Sequence, residues 1–119
     1  MSNDYVSVGI IERGDLNGVD LKNEIKMFEN SEEFKNFADE YRAKHDWGVY
    51  PVDDSEYFER DGKLKITAWV RANPTATLLY TQNLSKKYNL KIKAAIFDQT
   101  NNYEYLGSYI VDNGERIDQ

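Results

Sequence analysis

The side chains with the most chemical reach in this sequence are one histidine, His45, and a carboxylate group formed by Asp53, Asp54, Glu56 and Glu59. A general base working near neutral pH needs a titratable group poised there and a second group to orient it. His45 lies on the apolar stripe of a helical segment with no such partner. It is expected to pack at a helix end, where the C-terminal dipole favours its protonated form. Asp54 and Glu56 would share one face of a strand, about 6.6 Å apart at roughly 3.3 Å per residue. That spacing suits a hard cation completed by water, yet the fixed glycine of a calcium loop is missing. The cluster is read as solvated acidic surface, and no metal is expected. Gly14 and Gly18 stand outside any phosphate-cradling context, and no Ser-His-Asp set forms once His45 is used in packing. The reading is a non-enzymatic protein with no catalytic residue and no cofactor.

A second constellation is basic and aromatic. In Lys63-Leu64-Lys65-Ile66-Thr67-Ala68-Trp69-Val70-Arg71, apolar and polar residues alternate, so Leu64, Ile66, Ala68 and Val70 form one face of a strand. The other face receives Lys63, Lys65, Thr67, Trp69 and Arg71. Leu90, Ile92, Ala94 and Ile96 repeat the pattern, leaving Lys91, Lys93 and Phe97 opposite. Exposed aromatics interleaved with lysines can stack bases while the cations meet phosphates. The bland alternative covers Trp69 and Phe97 with residues 13–30 or a second subunit, the lysine stems shielding the rest. The short signature of an RNA-recognition motif is absent.

The elements that must position these groups follow from periodicity. Val6, Val8 and Ile10 share one parity of a first strand, which is expected to be its buried face, with Tyr5, Ser7 and Ile11 on the open one. Residues 13–30 fit either a short helix or a strand. Asn30 or Ser31 caps a helix whose stripe is Phe34, Phe37, Ala38, Tyr41 and His45, with Glu33 placed as in a capping box. Asp61-Gly62 marks a two-residue hairpin turn. Asn73-Pro74 opens a second helix lined by Ala76, Leu79, Tyr80, Leu84 and Tyr88 and stopping at Asn89. Asp98 to Asn102 is a turn cluster, Tyr103 to Val111 a last strand, and residues 112–115 an exposed tail. The order predicts an α+β chain: a ferredoxin-like βαββαβ sandwich with an extra C-terminal strand, two helices on one face of an antiparallel sheet, in a single domain over residues 1–119.

The chain has 119 residues, no cysteine and net charge −6, a composition compatible with a reducing interior. Residues 1–62 are net −9, 63–97 net +7 and 98–119 net −4. Overall acidity disfavours non-specific nucleic-acid binding, although a local basic surface still acts within a Debye length of about 8 Å. No segment approaches the ~18 apolar residues of a membrane span. With no apolar run behind Met1, a cytoplasmic location is expected, that of the host cell for a phage protein. The tripeptide Arg13-Gly14-Asp15 and the sequon Asn83-Leu84-Ser85 are read as chance.

Four stretches carry a resemblance: residues 46–53 (Asp-Trp-Gly-Val-Tyr-Pro-Val-Asp), residues 64–69 with Pro74 after them, residues 84–88, and Tyr103 to Gly107 with Gly114. Together, over roughly residues 46–114, they resemble the YubB ferredoxin-like family of phage and plasmid proteins. The resemblance implies this fold and a mobile-element origin, with no settled activity to carry over. The expected function is an interaction protein that binds a host or element-encoded protein, a counter-defence inhibitor if its acidic surface competes with nucleic acid for a basic partner. That surface comprises Glu32, Glu33, Asp39, Glu40, Asp53, Asp54 and Glu56. The alternative is single-stranded RNA or DNA binding by Lys63, Lys65, Trp69, Arg71, Lys91, Lys93 and Phe97; a homo-oligomer is compatible with either.

Overall fold

The computed structural model describes residues 4–45, 49–50, 57–70 and 75–118, with side-chain burial for residues 5–44, 59–66 and 75–118. The elements run β1 (Asp4–Arg13), α1 (Leu21–Glu29), α2 (Glu32–His45), β2 (Val49–Tyr50), β3 (Tyr57–Arg60), β4 (Lys63–Val70), α3 (Thr75–Tyr88), β5 (Lys91–Asp98), β6 (Glu104–Asp112) and β7 (Glu115–Arg116). The strands pair antiparallel in the order β2-β4-β1-β5-β6-β7, and β3 also pairs with β4. The chain is thus α+β, with helices on one side of an open antiparallel sheet.

Residues 13–30, ambiguous by periodicity, contain a helix that belongs to the core layer. Asp20 caps α1 by accepting from the Asn23 amide at 3.2 Å, and Ile25 and Phe28 are buried. Leu16, ahead of the helix, is buried in the same cluster. These residues pack with the helix side of the sheet, so three helices line it where two were expected. Ser31 caps α2, its hydroxyl accepting from the Phe34 amide at 3.2 Å while donating to the Phe28 carbonyl at 2.6 Å. One serine therefore closes the corner between α1 and α2. The rings of Phe28, Phe34 and Tyr80 then meet with centroids 5.5–5.6 Å apart, joining all three helices.

The expected ends of α3 fare differently. Asn73-Pro74 lies outside the described residues. Asn89 takes φ 51°, and the Leu90 amide donates to the Ser85 carbonyl at 2.9 Å, a Schellman-type stop with asparagine in the left-handed position. Asp61-Gly62 forms its turn with φ 54° and 76°, joining β3 to β4.

The sheet corrects one expectation outright. The register sets Ser7 beside Ile66 and Ile96, and Gly9 beside Leu64 and Ala94. Tyr5, Ser7, Gly9 and Ile11 therefore face the helices, while Val6, Val8 and Ile10 face away. The parity of β1 is opposite to the hydrophobic expectation. The reason is local fit: Gly9 admits Ile92 and Ala94 at close range, and the Ser7 hydroxyl meets Tyr109. Both parities of this strand carry apolar groups, so hydrophobicity alone barely separates them. The parities expected for Leu64/Ile66 and Leu90/Ile92/Ala94/Ile96 hold, all of them buried.

The tail is also more than an exposed end. Asn113 and Gly114, φ 49° and 86°, turn the chain into β7. Gly114 donates its amide to Ser85 Oγ at 2.9 Å and lies so close to Lys86 that a Cβ would sit 2.7 Å from the lysine Cβ.

Candidate functional site: the open face of the sheet

Cross-strand register orders the open face into rows, because directly opposed residues share a face. One row reads Lys63, Ile10, Lys93, Ile110; the next Lys65, Val8, Ala95, Ser108; a third Thr67, Val6, Phe97, Tyr105. Ile10 thus stands between two lysines. It is 56% exposed and Val8 39%, unusual for aliphatic side chains at the centre of a sheet. Around them runs a shallow groove of about 440 Å³ lined by Val8, Ile10, Ala95 and Phe97, with Lys63 and Lys93 at its rim. Among the described residues neither rim lysine has a carboxylate partner. In the flanking row, Asp112 is held by Arg13, whose second nitrogen reaches it at 3.2 Å.

Phe97 is half-buried and meets Tyr105 edge to face at 5.9 Å. Val6 is 1% exposed although it faces away from the helices and stands apart from their core cluster. Trp69 lies on β4 opposite Asp4 and Tyr50, in line with the basic face. Its side chain, like all of Arg71, falls outside the described residues. Lys63 and Lys93 are exposed, and Lys65 and Lys91 half-buried. The sequence found these cations; it missed Val8 and Ile10, assigned to the core.

The acidic set divides. Glu32, Glu33, Asp39 and Glu40 are exposed on α2, but Lys35, Arg42 and Lys44 share that helix, four acids against three bases. Asp53, Asp54 and Glu56 lie outside the described residues, as does the His45 side chain. Among the described residues no group of three or more histidines or carboxylates gathers as a metal site, and no helix is long and apolar enough to cross a membrane.

On the helix side, three hydroxyls form a buried chain that no sequence pattern signals. Tyr109 Oη bonds Ser7 Oγ and, at 2.9 Å, Thr81 Oγ1, which donates to the Thr77 carbonyl at 2.9 Å. Burial pushes the Tyr109 phenol up, and the two hydroxyls only partly offset it. At 1% exposure the phenol has no route to a substrate, so the chain reads as a clamp between β1, β6 and α3.

The two short sequence motifs are spoken for structurally. Ser85 is fully buried, with its hydroxyl donating to the Leu90 carbonyl at 2.7 Å, and Arg13 is committed to Asp112. Comparison of the chain with protein-family models, curated proteins and solved structures returned no match.

Proposed function

We propose that this chain is a small non-enzymatic interaction module that binds a partner protein through the open face of its sheet. The observation that carries the reading is Ile10 and Val8, exposed at the centre of the sheet in a groove rimmed by Lys63 and Lys93. Exposed aliphatic pairs at a sheet centre cost the free protein hydration, and covering these partly exposed side chains returns a fraction of the ~1.5–3 kcal/mol that full burial of such a side chain is worth. The groove is open to solvent along the sheet and lined mostly by apolar groups, a shape that a protein surface can cover whole. Strand order supports a ferredoxin-like plan beneath this face: α1 and α2 connect β1 to the β2/β3 edge, α3 connects β4 to β5, and β6 and β7 extend the β5 side. The resemblance to the YubB family fits that plan and a mobile-element origin.

The acid-surface inhibitor reading rests on α2, where four acids stand among three bases, and on Asp53, Asp54 and Glu56, which lie outside the described residues; its support is charge balance alone. A second reading, single-stranded nucleic acid on the open face, is favoured by the Phe97–Tyr105 pair beside the lysines. Against it, the central strand presents aliphatic groups, which stack bases poorly, and the chain is net −6.

The test is affinity capture from a lysate of the cell in which the chain occurs, with three baits: wild type, Ile10→Asp, and the double variant Glu33→Lys/Asp39→Lys. A protein captured by wild type and the α2 variant but lost with Ile10→Asp supports open-face binding. Loss with the α2 variant alone transfers the function to the acidic surface. A parallel low-salt titration with a mixed-sequence single-stranded oligonucleotide decides the second reading, since binding that weakens with Lys93→Ala and with added salt would displace the protein-binding one.

A further inference from the structure

The outer edge of β6 is closed in an unusual way. An edge strand offers unpaired amides and carbonyls to any strand that comes alongside, and natural sheets blunt such edges. Here the arm at residues 115–118 does so with side-chain groups standing in for a strand. β7 pairs with Val111 and Asp112 only. Beyond it the Ile117 amide donates to the Ile110 carbonyl at 2.8 Å, Asp118 Oδ1 accepts from the Ile110 amide at 3.1 Å, and Arg116 Nη2 donates to the Ser108 carbonyl at 3.3 Å. The pair is locked, with Arg116 Nε 2.9 Å from Asp118 Oδ1. A carboxylate thus replaces a strand carbonyl, and a guanidinium replaces a strand amide.

The rest of the edge carries what the arm does not cover. Tyr105 and Leu106 are exposed, with Tyr103 beside them, and the β5–β6 register shifts there next to Gly107. Such a bulge twists an edge away from partners, a second protection over the stretch that the arm leaves bare. β6 is nine residues long, ample for pairing, and an antiparallel pair of identical strands is self-complementary by symmetry. Pairing about Ser108 would set Leu106 against Ile110 of a second copy. It would also bring Glu104 towards Asp112, whose charge Arg13 already offsets.

We infer that residues 115–118 are an edge guard that prevents β6 from pairing with β6 of a second copy of this chain. The inference does not depend on the open-face reading. The experiment compares wild type, Arg116→Ala/Asp118→Ala, and that double variant with Leu106→Lys added, by light scattering over a concentration series, with hydrogen exchange at the Ile110 amide. Wild type is expected to be monomeric with Ile110 protected. The double variant is expected to keep its cooperative melt and to dimerise with rising concentration, regaining Ile110 protection in the dimer. A lysine at Leu106 puts charge on the shared edge and is expected to restore the monomer. A double variant that stays monomeric across the series overturns the inference. So does one that loses its cooperative melt, since a guard is dispensable for the core, or one whose association survives the lysine.

Discussion

Tyr109 and Ser7, 102 residues apart in sequence, share a buried hydrogen bond between β6 and β1, and Thr81 Oγ1 meets the same phenol from α3 at 2.9 Å. One hydroxyl therefore joins two strands that do not pair with each other, because β5 lies between them, and fastens both to a helix. Removing it leaves the buried Ser7 hydroxyl without its hydrogen-bond partner among the described residues, while Thr81 keeps the Thr77 carbonyl.

Tyr109→Phe is thus expected to destabilise the fold by about 1–3 kcal/mol, the cost of an orphaned buried polar group. Ser7→Ala in the same background removes the orphan, so the double variant is expected to lose less than the two single losses added. Urea unfolding of the four members of this cycle gives the answer; strict additivity would mean that the hydroxyls do not form one network.

Those hydroxyls also mark where the sequence stopped being legible. On β4 and β5, lysines alternate with leucine, isoleucine and alanine, and that contrast identified the buried parity. On β1 the choice lay between Val6/Val8/Ile10 and Tyr5/Ser7/Gly9/Ile11. The second set wins because of partners far along the chain, Ile92 against Gly9 and Tyr109 against Ser7, which no local pattern contains. The rim of the candidate site, Lys63 and Lys93, was legible for the same reason as the parity of their strands. Its floor was not, since Val8 and Ile10 look like core until the register is known. α1 was hidden by its alternative strand periodicity, which only the Asp20 cap and the packing of Ile25 and Phe28 resolve.

Gly9→Ala tests the close approach that decides this parity. A Cβ at Gly9 would lie 2.7 Å from Ile92 Cγ2 and 3.3 Å from the Ala94 Cβ, with strand backbone on both sides limiting relief. Overpacking of this kind is expected to cost about 1–3 kcal/mol. Thermal or urea unfolding checks it, and an alanine tolerated without loss would contradict the packing described.

Contrasting substitutions on the two faces test the sheet as a whole. Ile66 is fully buried and Ile10 is 56% exposed on the opposite face. Ile66→Ala is expected to cost about 2–5 kcal/mol as a core truncation. Ile10→Ser is expected to fall within about 0.5 kcal/mol of wild type, as surface changes do. Equal losses at the two positions would remove the open face, and with it the proposed binding surface.

The junction of α1 and α3 makes a prediction about pH. Glu24 accepts from Lys87 Nζ and from Tyr88 Oη, each at 2.6 Å. Burial raises the Glu24 carboxyl, but the bonds from Lys87 and Tyr88 outweigh it and hold the group below its usual range. The same bond from Tyr88 to a charged acceptor, helped by burial, pushes the phenol up to about 12. A depressed carboxyl contributes stability above its unfolded value, about 4.3, and loses it as pH falls below that. A raised phenol contributes stability that is fully present below its unfolded value, about 10, and is lost as pH climbs towards the folded one. Wild-type stability is therefore expected to decline at both extremes partly through this one cluster. Glu24→Gln should flatten both limbs, because it removes the titrating carboxylate and the charge that holds the Tyr88 proton. Tyr88→Phe should flatten mainly the alkaline limb. Urea midpoints measured across the acid and alkaline ranges for the three proteins separate these cases, and curves for Glu24→Gln that run parallel to wild type would show that the cluster is not the source.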